Sequence, residues 1–287
     1  MRRSFLAFVL LVASMALGAQ EYPARTVRIV VPFAPGGGTD LIARILSQHL
    51  SQRLGQSFVV ENRPAGSGIV GADHVAKSAP DGYTLLFAFS SLSSSAKLFS
   101  KLPYDPVRDF VPVALATTSP LLVVVPASLP AKDLREFIAH ARAMPGKLNY
   151  GSSGPGSSPH LATELFMSLT GVQMAHISYK GIGPAITALL ANEVQFSLVP
   201  TVNESGLPGF EVIAWWGMLA PAKTPRAVVE RLNREVRAIL DRAEVRRGMI
   251  DQGMDPAAGA PEQFAELIKT DMEKWGDIGK RLGVKLD

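Results

Sequence analysis

The chain of 287 residues contains no cysteine. That excludes a disulfide framework, a thiolate metal site and lipid attachment through a cysteine behind a leader. Charge is also sparse: Asp, Glu, Lys and Arg are 19% of the residues, and 29 basic against 25 acidic side chains leave a net charge of +4. Two of the basic residues, Arg2 and Arg3, stand at the very start, and without them the balance is +2. So small an excess excludes a binder of nucleic acid or anionic lipid that works through charge. The arginines at 242, 246 and 247 are interrupted by Asp241 and Glu244 and read as a solvated helix face.

Catalytic patterns are missing as well. No Gly-Lys-Ser/Thr ends a phosphate loop, and no Gly-x-Ser-x-Gly elbow occurs. His49, His74, His140, His160 and His176 show no metal-ligand spacing, so no metal is expected. Ser157, Ser158 and His160 are neighbours in a Gly/Pro loop, where capping and turn roles outweigh a catalytic pair. The run from Gly66 to Ala72 matches a dinucleotide fingerprint, but the strand after it, Tyr83–Ser90, ends without the carboxylate that a ribose needs. Its glycines serve a turn after Pro64, and no cofactor is expected.

The N-terminus has a clear signature. Arg2-Arg3, the apolar stretch Phe5–Leu17 and the small residues Ala16–Ala19 predict a secretory signal over residues 1–19, hence an exported, periplasmic protein. The apolar stretch is too short for a span with flanks, and no later segment looks transmembrane. Roughly 270 residues remain, enough for a large core that splits into two lobes.

Strand-like and helix-like segments alternate through that remainder. Strands are expected near Val27–Phe33, Phe58–Glu61, Tyr83–Ser90, Val111–Val125, Leu148–Gly151, Met174–Tyr179, Val194–Val199 and Glu211–Ala220. Helices are expected at Leu41–Leu54, Ile69–Ser78, Asp133–Met144, His160–Thr170, Pro184–Ala191, Pro225–Asp241 and Pro261–Leu282. This is an α/β pattern with mainly parallel sheets. Pro120, in the middle of a long strand, suits an edge or a crossing between lobes. The lobe boundary is placed near Val125–Leu129.

The most informative stretch is Thr26–Leu41, TVRIVVPFAPGGGTDL. A buried strand breaks at Pro35-Gly36-Gly37-Gly38, and Thr39 or Asp40 can cap the helix that follows. Such a turn aims free backbone N–H groups and a positive helix end at one point, which suits an anion. Three more small-polar loops follow strands: Ser90–Ser95, Gly151–Ser158 and Tyr179–Gly183. Ligands of open α/β sheets settle where such loops converge. Hydroxyls and bare N–H groups suit a small carboxylate that is held and then released.

Taken in order, the motifs resemble a known family. Tyr22-Pro23, the stretch from Val30 to Asp40, Val60–Pro64, Ala79–Leu86, Tyr104–Pro106, Asn149–Gly154, Tyr179–Gly181 and Gly206–Glu211 are similar to those of Bug-type receptors, the periplasmic solute-binding proteins of tripartite tricarboxylate transporters. The resemblance implies a two-lobed, type II flytrap. Lobe 1 would comprise residues 20–125 plus 209–287, and lobe 2 residues 126–208. It further implies a receptor that performs no covalent chemistry and takes up a di- or tricarboxylate, an acidic amino acid or an aromatic acid; a monomer is the default expectation. The solute would pass to integral membrane transporter subunits. Carried over, Gly36, Gly37, Thr39 and Asp40 sit at the first helix end with Ser90 and Ser91 beside them. Ser153, Gly154, Ser157, Tyr179 and Lys180 close from the other lobe. A periplasmic sensory or scaffold protein that signals through the same cleft is the alternative.

The resemblance breaks after Leu198. The family continues with an Asp-Asn loop, a helix and a strand returning to the first lobe, whereas here Val199-Pro200-Thr201-Val202 follows at once. The expectation is a shortened second lobe that has lost a ligand loop and the return crossing, with impaired or altered binding.

Overall fold

The computed structural model describes residues 22–200 and 212–284. The expected leader and the segment Thr201–Phe210 lie outside the described residues. β1 (Val27–Val31), β2 (Phe58–Asn62) and β3 (Thr84–Phe89) pair in parallel, joined through α1 (Gly38–Leu54) and α2 (Ile69–Ala76). Val27, Ile29, Val30 and Val31 are fully buried, as a strand covered on both faces requires.

β4 (Phe110–Val124) serves both lobes. From Phe110 to Pro120 it pairs antiparallel with β8 (Ile213–Pro221), and from Leu121 to Val124 with β7 (Phe196–Pro200). β5 (Leu148–Ser152) and β6 (Met174–Ser178) complete the second lobe in parallel with β7. The strand order is β2-β1-β3-β8-β4-β7-β5-β6, and the short β9 (Asp255–Pro256) adds to β4. The sheets are therefore parallel in their outer strands and antiparallel where the chain crosses between lobes.

Pro120 is tolerated for a local reason. Leu121 N–H donates to Val212 O at 2.9 Å, on the β8 side. The amide position of Pro120 faces the opposite edge, where pairing with β7 begins only at Leu121. β7 and β8 thus flank β4 on opposite edges, and the expected loss of the return crossing falls on residues outside the described ones.

α3 (Ser91–Leu98), α4 (Leu134–Ala143), α5 (Ser158–Thr170), α6 (Ile182–Leu190), α7 (Arg226–Leu240), α8 (Ala243–Ile250) and α9 (Pro261–Leu282) cover the sheet. In α7 the stripe Val229, Leu232, Val236, Ile239, Leu240 is buried. Asn233 in the same stripe donates to Val113 O and Gly259 O at 2.8 and 3.1 Å. Each such aliphatic side chain stabilises the fold by about 1.5–3 kcal/mol on burial. Phe264, Ile268, Trp275 and Ile278 do the same in α9.

Two elements differ from the sequence expectation. Ser90–Ser95, expected as a loop, opens α3; serine is a weak helix former, but Leu92 and Leu98 are buried and Ser93 Oγ reaches Ile268 O of α9 at 3.4 Å. α8 stands outside the expected helix ranges, although its arginines had read as a solvated helix face. Among the described residues no helix is long and apolar enough to cross a membrane.

Candidate functional site

The site begins where β1 turns into α1. Gly36 takes φ +89°, and α1 starts at Gly38 behind Gly37 with no side chain capping its end. The expected caps, Thr39 and Asp40, lie inside the first turn and are engaged elsewhere. Asp40 accepts from the Gly36 amide (3.2 Å), from Arg44 Nε and Nη2 (both 2.9 Å) and from Asn62 Nδ2 (2.8 Å). Burial pushes the Asp40 carboxyl up, but the hydrogen bonds from Arg44, Asn62 and Gly36 outweigh it and hold the group below the usual carboxylate value. Its oxygens tie the turn down, which leaves them poorly placed to meet an anion. Thr39 Oγ1 accepts from Trp216 Nε1 at 2.9 Å, so its own proton is free to donate into the cleft.

The second lobe brings a matching helix end. α6 starts behind Gly181, again without a side-chain cap. A Cβ placed on Gly37 would lie 3.3 Å from Ile182 Cγ2, and one on Gly183 would lie 3.4 Å from the Gly36 backbone. Ala34 N–H donates to Lys180 O at 3.0 Å across the same junction. Two uncapped helix starts therefore meet from opposite lobes, each carrying unpaired N–H groups and a positive dipole end.

Two adjoining pockets open beside this junction and share Phe33 and Ser153. The smaller is lined by Gly38, Thr39, Phe89, Pro159, Ile182 and Trp216, with no charged side chain. Its wall is an aromatic row, with ring centroids 6.2 Å apart for Phe33–Phe89 and 5.0 Å for Phe89–Trp216. The larger has a volume of about 270 Å³ and is lined by Ser67, Gly68, Gly154, Ser178, Tyr179 and Lys180 among others. Lys180 is exposed and Tyr179 half-buried.

The hydroxyls of Ser67 and Ser153 are buried at this cleft without a hydrogen-bond partner. An unpartnered buried hydroxyl costs about 1–3 kcal/mol, which a bound polar group would offset. Ser67 sits at φ +56° in the turn Gly66–Gly68, and a Cβ on Gly154 would collide with its hydroxyl. Glycine at 154 is what lets the two loops close.

The remaining expected residues take other places. Ser90 Oγ lies 2.8 Å from Ser158 Oγ, a hydroxyl link between lobes, and Ser94 Oγ donates to Gly156 O at 2.8 Å beside it. Ser157 caps α5 by accepting from His160 N, and its side chain lines neither pocket. Ser91 lines a third, smaller pocket with Leu92 and Tyr104, which shares Phe33, Ser67 and Gly68 with the larger one. Gly36 is exposed and shapes the turn. Sequence reasoning missed Ser67, Phe33, Phe89, Ile182 and Trp216. Ser67 had a usable signal, a Gly-Ser-Gly turn between a strand and a helix. Trp216 had none, since only the sheet order brings β8 next to β3. Among the described residues no group of His, Asp and Glu could hold a metal ion.

Known proteins share this fold. The model of the tripartite tricarboxylate transporter family receptor, TctC, matches residues 42–199 and again 193–284. BugT of Bordetella pertussis is 34% identical and is aligned over 94% of this chain and 93% of its own length. That alignment runs over 303 residues, more than this chain possesses, so BugT carries residues that are missing here. The two pieces of the family match meet at 193–199, where the motifs break. Among solved structures, a Rhodopseudomonas palustris protein with adipate superposes with a TM-score of 0.88 at 32% identity, covering 92% of this chain and 99% of that one. MatC from the same species, with bound malate, gives 0.84 at 34% identity, covering 90% and 99%. By fold, by motif order and by the extent of these matches, the chain belongs to the TctC family of tripartite tricarboxylate transporter receptors.

Proposed function

We propose that this protein is an extracytoplasmic receptor that binds a small carboxylate between its lobes and hands it to a tripartite tricarboxylate-type membrane transporter. The observation that carries this reading is the meeting of the uncapped starts of α1 and α6 beside the unpartnered hydroxyls of Ser67 and Ser153. Backbone N–H groups and hydroxyls hold an anion without a neutralising side chain, so it can be released on opening. The aromatic row accepts the apolar body of the acid. The adipate and malate complexes of related receptors support a carboxylate as ligand. Delivery to a transporter, export through the leader at 1–19 and the absence of catalysis rest on membership of the family. The lobes are proposed as residues 20–125 plus 209–287 and residues 126–208.

The residues missing after Leu198 do not belong to this junction, where the loops from each lobe still meet, so binding is retained and its selectivity altered. A thermal-shift screen of di- and tricarboxylates, acidic amino acids and aromatic acids tests the reading, since a ligand that binds only the folded state raises Tm. A rise with at least one acid, absent for its neutral amide, is expected. No rise with any acid at high excess would remove the reading's support.

A further inference from the structure

Behind the loop from Ser153 to Ser157 lies a stack of three rings, two buried and His176 half-buried, that the binding function does not account for. Tyr150 of β5, His176 of β6 and His160 of α5 stack with centroids 4.8 Å apart for Tyr150–His176 and 4.3 Å for His160–His176. Tyr150 Oη donates to Glu164 Oε1 at 2.6 Å. The Gly156 amide donates to His160 Nδ1 at 3.0 Å. That bond assigns Nδ1 as the bare nitrogen and places the ring proton on Nε2, 3.8 Å from Glu164 Oε1. His176 Nε2 lies 2.7 Å from Ser152 Oγ, and Ser152 Oγ in turn accepts from the Gly154 amide at 3.1 Å. The two imidazoles therefore grip the loop at both ends, with Ser153 between them.

The titratable groups around the pair are Tyr150 from β5, Glu164 from α5 and each histidine for the other. α3 and its cap bring hydroxyls to this loop: Ser94 to Gly156 O, and Ser90 to Ser158.

We propose that His160 and His176 are positioning residues of the cleft, neutral imidazoles that hold the loop presenting Ser153, and that a proton on either ring loosens it. This rests on the receptor reading above. A protonated His160 has two N–H donors and no acceptor, so the Gly156 amide would face a donor. Two charged rings 4.3 Å apart would also repel. Burial holds both rings below the ordinary histidine range, at about 4. The loop is thus gripped at neutral pH and released on the acid side.

The test follows the Gly156 amide and the His160 ring by NMR between pH 7 and pH 4, in the wild type and in His160→Asn. Asparagine places a carbonyl oxygen near the position of Nδ1 and does not titrate. In the wild type the Gly156 amide should move with the His160 ring; in H160N it should stay flat. Adipate and malate are then titrated at pH 7 and pH 4. These acids lose charge too, so the variant is the reference: with the His160 ring half protonated at pH 4, the wild type should lose about twofold more affinity than H160N. A Gly156 amide that ignores the ring, or an H160N profile equal to the wild type, overturns the proposal. If the wild type unfolds before the ring titrates, H160N should unfold at lower pH, and equal acid midpoints overturn it. If neither acid binds either protein at pH 7, that counts against the receptor reading, while the amide titration still decides this one.

Discussion

Gly37, the backbone cap of α1, meets Ile182, the first residue of α6, so closely that a Cβ on the glycine would lie 3.3 Å from Ile182 Cγ2. The contact joins the two lobes at the point where both helix ends present their free amides. Gly37 has φ −89° and ψ 169°, an extended conformation that any residue adopts. Gly37→Val should therefore leave the unliganded fold intact and wedge the lobes apart. Calorimetry should show affinity for a carboxylate falling by more than about tenfold, with the Tm of the free protein nearly unchanged.

Asp40 acts on the same turn from below. Its carboxylate satisfies the Gly36 amide and Asn62, and pairs with Arg44. Asp40→Ala should cost about 2 kcal/mol of stability at pH 7, chiefly through the donors it leaves unpaired. Urea unfolding measures that loss, and ligand affinity should fall with it because Gly36 is no longer held.

Acid stability should carry two opposing contributions. His160 and His176 are held at about 4, below their unfolded value, so the unfolded chain binds protons first and stability falls as pH drops from 6.5 to 4. Asp271, buried against Trp215 Nε1, is raised by that burial to about 6; its contribution is full below 3.8 and is lost as pH rises through 6. Asp271→Asn keeps an acceptor for Trp215 and removes the opposing slope. The Tm of D271N should therefore fall more steeply than that of the wild type between pH 6.5 and pH 4.

Gly71 of α2 packs directly on Pro32, the residue that follows β1. A Cβ there would come within 2.9 Å of Pro32 Cα and 3.2 Å of Arg63 O, both backbone atoms with little room to yield. Gly71→Ala should destabilise by about 2 kcal/mol despite the better helix propensity of alanine. A Tm lowered by several degrees is the expected reading, and an unchanged one would mean that α2 shifts freely.

Much of the architecture was legible because it is local. The β-branched run at Val27–Val31, the glycine turn after it and the apolar stripes of α7 and α9 are each decided within one segment. α3 was not, because Ser91–Ser95 owe their helix to packing on α9 and not to their own propensity. The cleft was half legible for the same reason. Glycines and serines after strands announce loops, but which loops meet depends on sheet order. Ile182 lies at the start of an ordinary apolar helix, and Trp216 sits in the middle of a buried strand; only the fold brings both to Thr39 and Gly37.

The central claim is that backbone amides from both lobes hold the anion. Titrating the ¹⁵N-labelled protein with the acid that raises Tm most, and following the amides of Gly38, Thr39, Ile182 and Gly183, tests it most directly. The account predicts that these amides, from α1 and α6 together, show the largest saturable shifts. Shifts confined to one lobe, or centred away from both helix ends, would contradict it.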